Sequence, residues 1–234
     1  MQSKSAQELA ILQNQIIHCR KCPRLVEWRE KIAREKTKRF RDWTYWGKPN
    51  PGFGDPKAEI LLVGLAPAAH GGNRTGRMFT GDRSGDWLYR ALFRTGFANQ
   101  PTSTDRNDGL KLRNCYITAV CRCAPPLNKL LPSEIAQCRP YLLREIQLLK
   151  NIHVVVGLGR VGFENAYRAM REVRSGEMKT GKRRPAFCHG VEYQLGDRLF
   201  LLGSYHPSQQ NTFTGKLTEV MLDTVFQKTK ELIR

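Results

Sequence analysis

The sequence predicts an α/β fold, a four-stranded parallel sheet with helices on both faces, and three observations carry that prediction. Short continuous apolar runs recur four times, at EILLVG, CYITAV, IHVVVG and RLFLLGS, and runs of this length and composition suit strands covered on both sides. A longer segment with helical character follows each run, and alternation of strand and helix is the pattern of parallel sheets. The chain of 234 residues, 40% of them hydrophobic, suits one domain over residues 1–234.

Each element has its own local warrant. Ser5 and Glu8 have capping-box spacing and open a helix whose Leu9, Leu12, Ile16 and Ile17 share a face. A basic segment to about residue 55, ending in the loop WGKPNPGFGDP, leads into the first strand. Ser84 is expected to cap a helix running to Gly96. Helices are expected from Ser133 to about Lys150, from Arg160 to about Arg171 and from Gly215 to Ile233, separated by the remaining strands. No apolar run approaches the roughly 18 residues that cross a bilayer. The start MQSKSAQELA lacks the apolar core of a secretory signal, so a cytoplasmic location is expected.

Open parallel sheets build sites in the loops at the carboxyl ends of their strands. Here the first strand delivers GLAPAAHGGNRTGRMFTGD, the second CRCAPPLNKLLP and the fourth YHPSQQN, all rich in polar, Gly or Pro residues. The third delivers GLGRVG at 157–162, which matches the dinucleotide fingerprint literally. It lies on the wrong strand, and the next strand ends in Gly203 and Ser204 without a ribose-binding acid, so a tight turn with close helix packing is expected.

Charge points to a polyanionic partner. There are 39 Lys and Arg against 21 Asp and Glu, a formal net charge of +18. Residues 20–41 hold ten basic and three acidic residues, with Phe40, Trp43, Tyr45 and Trp46 at or just beyond the end of the cluster. Such interleaving suits nucleic acid, with cations on phosphates and rings on bases. A second basic stretch runs from Lys179 to Arg184.

Seven cysteines in a cytoplasmic chain argue against a disulfide framework. Cys19 and Cys22 form a CxxC pair, and Cys123 and Cys138 flank a Pro-rich loop and the start of a helix. Four thiolates suit either zinc or a 4Fe-4S cluster, and spacing alone leaves the two even. Cys115, Cys121 and Cys188 read as ordinary thiols, with Cys121 the rival of Cys123 as a ligand.

The motifs GLAPAAHGGNRTGRMFTGD, VCRCAPPLNK with Cys138, and YHPSQQNTFTG together resemble the iron-sulfur uracil-DNA glycosylases of the UDGb type, family five of their superfamily. The resemblance runs from Cys19 to the last helix. It implies a three-layer sandwich around the four-stranded sheet, a 4Fe-4S cluster on Cys19, Cys22, Cys123 and Cys138, DNA containing deaminated bases as partner, a prokaryotic setting and action as a monomer. By the same resemblance, His206 donates to a uracil carbonyl, Asp82 orients water or stabilises the sugar cation, and Asn128 helps hold the water or the base. Phe79 would stack on the extruded base, which must leave the duplex to be reached.

Around these, Ala66, Ala68, His70 and Asn73 are expected along the base pocket, with bracing of the Gly-rich loop the alternative for His70 and Asn73; Arg74 and Arg77 are expected on DNA phosphates, and Gln209, Gln210 and Asn211 in a loop that enters the duplex. Asp82 also has the position to organise the following helix. Family four carries an acid and an asparagine where Leu65 and Ala119 stand here. Loss of that polar filter suits a broader range that includes hypoxanthine, xanthine and modified cytosines. Two other readings compete: a non-catalytic nucleic-acid-binding module with a structural metal, and a nicotinamide-dependent reductase resting on GLGRVG alone.

Overall fold

The computed structural model describes residues 4–179 and 184–233, so most of the second basic stretch, residues 180–183, lies outside the described residues. The four expected strands are β2 (Ile60–Gly64), β3 (Cys115–Ala119), β4 (Val154–Leu158) and β6 (Leu199–Ser204). They are parallel and adjacent in the order β3-β2-β4-β6. The sheet is nevertheless six-stranded, because β1 (Phe53–Gly54) and β5 (Glu192–Gly196) add antiparallel edges. Neither edge strand has an apolar run to announce it. β1 is two residues long, and β5, EYQLG, keeps its first three positions partly or fully exposed.

Side chains alternate across the sheet into two cores. Ile60, Leu62, Ile117, Val154, Val156 and Leu202 face α4 (Arg83–Arg94) and α8 (Glu219–Leu232). Leu61, Val63, Tyr116, Val155 and Leu201 face α1 (Lys4–Ile17), α5 (Pro132–Leu148) and α6 (Arg160–Val173). Helices on both faces make the three-layer sandwich, and they explain why the central strands read as unbroken apolar runs.

Several boundaries differ from expectation for local reasons. α1 is already helical at Lys4, so Ser5 sits inside it rather than capping it. α4 is capped by Asp82, not Ser84: the Asp82 side chain accepts from Gly85 N at 3.0 Å. α8 begins at Glu219, where the Thr218 side chain accepts from Met221 N at 3.2 Å. Two short helices, α3 (Gly72–Thr75) and α7 (Gln209–Phe213), lie within segments expected to be loops. The basic segment holds a complete helix, α2 (Pro23–Glu35), started by Pro23 at its first turn. Its buried Leu25, Val26 and Arg29 follow helical spacing that the density of charge obscures in the sequence.

GLGRVG is explained by packing. A Cβ on Gly157 would overlap the backbone of Phe163, and one on Gly162 would overlap the carbonyl of Val63. Gly159 takes φ +83° to turn the chain from β4 into α6.

Candidate active site and cysteine centre

The loops after β2, β4 and β6 meet at one rim. The ring of Phe79 lies so close to Gly64, at the end of β2, that a Cβ there would come within 2.8 Å of it. Phe79 and His206 pack with ring centroids 5.6 Å apart and planes at 32°. Gly159 closes the group from β4, where a Cβ would stand 3.3 Å from His206 Cβ. Phe79 is 9% exposed and holds φ +52°, a left-handed backbone that costs a bulky residue about 1–3 kcal/mol. Gly85 makes room for that turn, since a Cβ there would strike the Phe79 carbonyl.

Burial sets the charges at this rim. Desolvation lowers the His206 pKa to about 4, so its imidazole is neutral at pH 7 and offers one N–H as a donor. Asp82 is pushed above the usual carboxylate range by desolvation, against hydrogen bonds from the Gly85 and Ser84 backbones that favour its charge. Its Oδ1 is committed to the start of α4. Its Oδ2 lies against Gly71, where a Cβ would overlap it. The two oxygens of this carboxylate thus face different neighbours, Oδ1 the start of α4 and Oδ2 the Gly-rich loop.

The rest of the Gly-rich loop is braced from behind. Tyr45 Oη is 3.0 Å from His70 Nδ1, and burial, helped by Arg74, lowers the His70 pKa. Ala66 and Ala68 are half-buried on the same loop, and the Ala68 carbonyl accepts from Gly71 N and Asn73 N. Asn73 is 1% exposed and donates to the Arg29 carbonyl at 3.1 Å, which ties the loop to α2 rather than presenting an amide to a base. Asn50, fully buried, donates to the Gly72 carbonyl at 3.0 Å while its own N–H bonds the Arg122 carbonyl at 2.7 Å.

Arg74 and Arg77, expected on DNA phosphates, are both held within the loop. Both are buried, at 3% and 4% exposure. Arg74 donates to the carbonyls of His70 and Gly81, each at 2.8 Å, and lies under the rings of Phe40 and Trp43. Arg77 pairs with Asp108 at 2.6 Å and bonds Ser103 and Thr80. Their guanidinium groups build the loop from inside.

On the β6 side, Asn211 is likewise turned inward and donates to the His206 carbonyl at 2.9 Å. Gln209 and Gln210 are exposed on α7, and Phe213 at its end is 68% exposed, with the Arg83 guanidinium 4.3 Å from its ring. Asn128 is exposed, with φ +56°. Sequence reasoning missed Tyr45, Asn50, Arg29 and Arg83, while Phe213 falls within the motif YHPSQQNTFTG, part of the segment expected to enter the duplex. Only the aromatic cluster after residue 40 gave any signal for this group, through Tyr45.

Cys19, Cys22, Cys123 and Cys138 line one cavity, with Leu25, Val26, Pro49 and Arg122 among its other walls. Burial raises the Cys22 thiol, and the neighbouring Cys138 and Cys19 raise it further. Burial pushes Cys123 up to about 12 even though Arg29 Nη1 donates to its sulfur at 3.1 Å. Cys138 is lowered to about 7, first by a hydrogen bond from Cys121. Cys121 is buried behind Cys138 and does not line the cavity. Arg24 pins α2 to the start of α5 by two bonds of 2.7 Å to the Glu134 carboxylate.

A family model described as the uracil DNA glycosylase superfamily matches residues 51–230. The chain belongs to that superfamily. The type-5 uracil-DNA glycosylase of Mycobacterium tuberculosis is 50% identical over 92% of this chain and 78% of its own. That of Mycobacterium leprae is 48% identical over 99% of both chains. That of Thermus thermophilus is 47% identical over 92% of this chain and 93% of its own. Superfamily membership agrees with the three-layer architecture and with the convergence of loops at the β2, β4 and β6 ends.

Proposed function

We propose that this protein is a monofunctional uracil-DNA glycosylase of the type-5 kind, hydrolysing the N-glycosidic bond of uracil in DNA and leaving an abasic site. The observation that carries the proposal is a neutral His206 packed on Phe79 at the same rim to which Asp82 is held. In the reaction the C1′–N bond breaks with its electron pair leaving on the base, and water adds its oxygen to C1′. Negative charge therefore grows on a uracil carbonyl, and positive charge on the sugar. His206, being neutral, meets the first as a hydrogen-bond donor without a proton transfer. The Asp82 carboxylate meets the second and orients water through the oxygen not bound to Gly85. Phe79 provides the apolar wall for a base taken out of the stack, and Asn128 is assigned to holding the water or base from the β3 loop.

Leu65 and Ala119 leave the pocket without a charged or amide filter at those positions, and this supports release of hypoxanthine, xanthine and modified cytosines as well. The +18 charge supports binding to duplex DNA, with Gln209 and Gln210 on α7 entering beside the extruded base. Among the described residues no helix is long and apolar enough to cross a membrane. Action at an isolated lesion needs no symmetry, so the monomer is the working form, in a prokaryotic cytoplasm.

The four cysteines fit a 4Fe-4S cluster. Their side chains line one cavity, and a cubane takes four thiolates spaced around a volume. Cys19, Cys22, Cys123 and Cys138 would hold it, and when bound it would cross-link α2 to the β3 loop and α5. The function is tested with duplexes carrying one uracil or one hypoxanthine, followed by alkaline cleavage. Strand breaks with the wild type and none with Asp82→Asn are expected, and an absence of abasic product from the wild type would overturn the proposal.

A further inference from the structure

Beside the cysteine cavity the chain leaves three buried guanidinium nitrogens without an acceptor: Nε of Arg29, and Nε and Nη1 of Arg122. Arg29 is 2% exposed and Arg122 1%. Buried donors are nearly always paired, and an orphaned donor on a charged group is costlier than a neutral one. Both residues face the cysteines, since Arg122 lines the cavity and Arg29 donates to Cys123 Sγ at 3.1 Å.

Internal carboxylates hold the two cations unequally. Arg122 Nη2 bonds the Glu145 carboxylate, which also accepts from Thr118 Oγ1 at 2.5 Å. The carboxylate nearest Arg29 is Glu30, at 3.7 Å, and Arg20 holds that group at 2.5 Å. Arg29 is thus a buried cation that shares its carboxylate, Glu30, with Arg20, and its Nη1 points at Cys123 Sγ. Four thiolates around an iron-sulfur core carry net negative charge, and their sulfurs and the inorganic sulfides accept hydrogen bonds.

We infer that Arg29 and Arg122 complete the cysteine centre as hydrogen-bond donors to the sulfurs of its cluster, and that the buried charge of Arg29 sets the cluster's reduction potential. This rests on the cluster reading given above. Adding an electron makes the cluster more negative, so a buried cation beside it favours the reduced form. Removing that cation moves the potential downward. Arg122, balanced by Glu145, acts chiefly through its donors. Both are positioning residues, since neither reaches the base pocket.

The test is a dithionite titration of the protein purified with its cluster, followed by absorbance near 400 nm and by electron paramagnetic resonance. Arg29→Gln, which keeps a donor and removes the charge, shifts the midpoint to more negative potential, whereas Arg29→Lys stays near the wild type. Cluster loss in air is several-fold faster in both, because each lacks the Nε donor. An unchanged midpoint in Arg29→Gln with the cluster intact overturns the inference and leaves the cluster reading standing. A colourless wild type with one zinc per chain overturns both. Should Arg29→Gln fail to fold, Arg29→Lys decides by cluster lifetime, and a lifetime equal to wild type overturns the inference.

Discussion

The base-pocket rim and the cysteine cavity handle charge in opposite ways. At the rim, burial strips charge: His206 is held neutral and Asp82 is pushed towards its neutral form, with Phe79 packed on the histidine. At the cavity, burial gathers charge: Arg29 and Arg122 are almost wholly enclosed with donors to spare. The difference suits two tasks. A rim that must respond to charge developing during a reaction works by groups already aimed at it, a neutral His206 donor for the leaving base and the Asp82 carboxylate for the sugar. On the cluster reading proposed above, the cavity would retain a permanent polyanion, and its counter-charges are built in.

Substitutions at the rim should therefore damage rate far more than stability. Asp82→Asn has the largest expected effect, a fall of about 10²–10³-fold in single-turnover uracil release, of the order seen when one charge-stabilising group is lost. Asn caps helices as well as Asp does, so the melting temperature should barely move. A lowered melting temperature with an unchanged rate would reduce Asp82 to a helix cap.

His206→Gln should slow release by about 10²-fold. The wild-type rate should also show no inflection near pH 6.5, where an unshifted histidine titrates. The same shift has a stability consequence. With a folded pKa of about 4 against 6.5 when unfolded, the unfolded chain binds more protons between those values. Stability is then unaffected above pH 6.5 and falls as the pH drops towards 4. Thermal melts at steps from pH 7 to 4 should fall more steeply in the wild type than in His206→Gln, and equal slopes would contradict the buried, neutral assignment.

Gly71→Ala is the intermediate case, because its Cβ would overlap the Asp82 carboxylate. Overpacking costs about 1–3 kcal/mol, and displacement of Oδ2 should slow release by about tenfold. Gly190→Ala, with open space around it but φ +74°, is the control for backbone strain alone.

How much of this was legible in the sequence follows from what each feature leaves in a linear pattern. The four parallel strands were readable because two-sided burial leaves unbroken apolar runs. β1 and β5 were not, because an edge strand as short as Phe53–Gly54 or as exposed as Glu192–Gly196 has no such run. His206 and Phe79 were placed by their motifs, and the structure brings them together. Arg74, Arg77, Asn73 and Asn211 were assigned to substrate or DNA because polar residues in a loop read as exposed. Their partners are backbone carbonyls and, for Arg77, also Asp108 and the Ser103 and Thr80 hydroxyls, whose proximity only the fold creates. Arg29 was hidden differently, as one cation among ten in a segment whose net charge drowned the helical period of Leu25, Val26 and Arg29.

The smallest expected effect concerns Asn128, and it bears on whether the rim extends to the β3 loop. Its neighbour Leu127 is 81% exposed at φ +52°, and Asn128 itself holds φ +56°, so two consecutive residues occupy the left-handed region without glycine. Asn tolerates that conformation better than most residues, which by itself explains its presence in the turn. If that is its only role, Asn128→Gly should leave the rate of uracil release unchanged, since glycine accepts the same backbone angles. If its amide holds water or base when DNA is bound, the same variant should lose a few-fold in rate with no loss of thermal stability. Glycine keeps the turn and removes the amide, so this one substitution separates the chemical role from the conformational one.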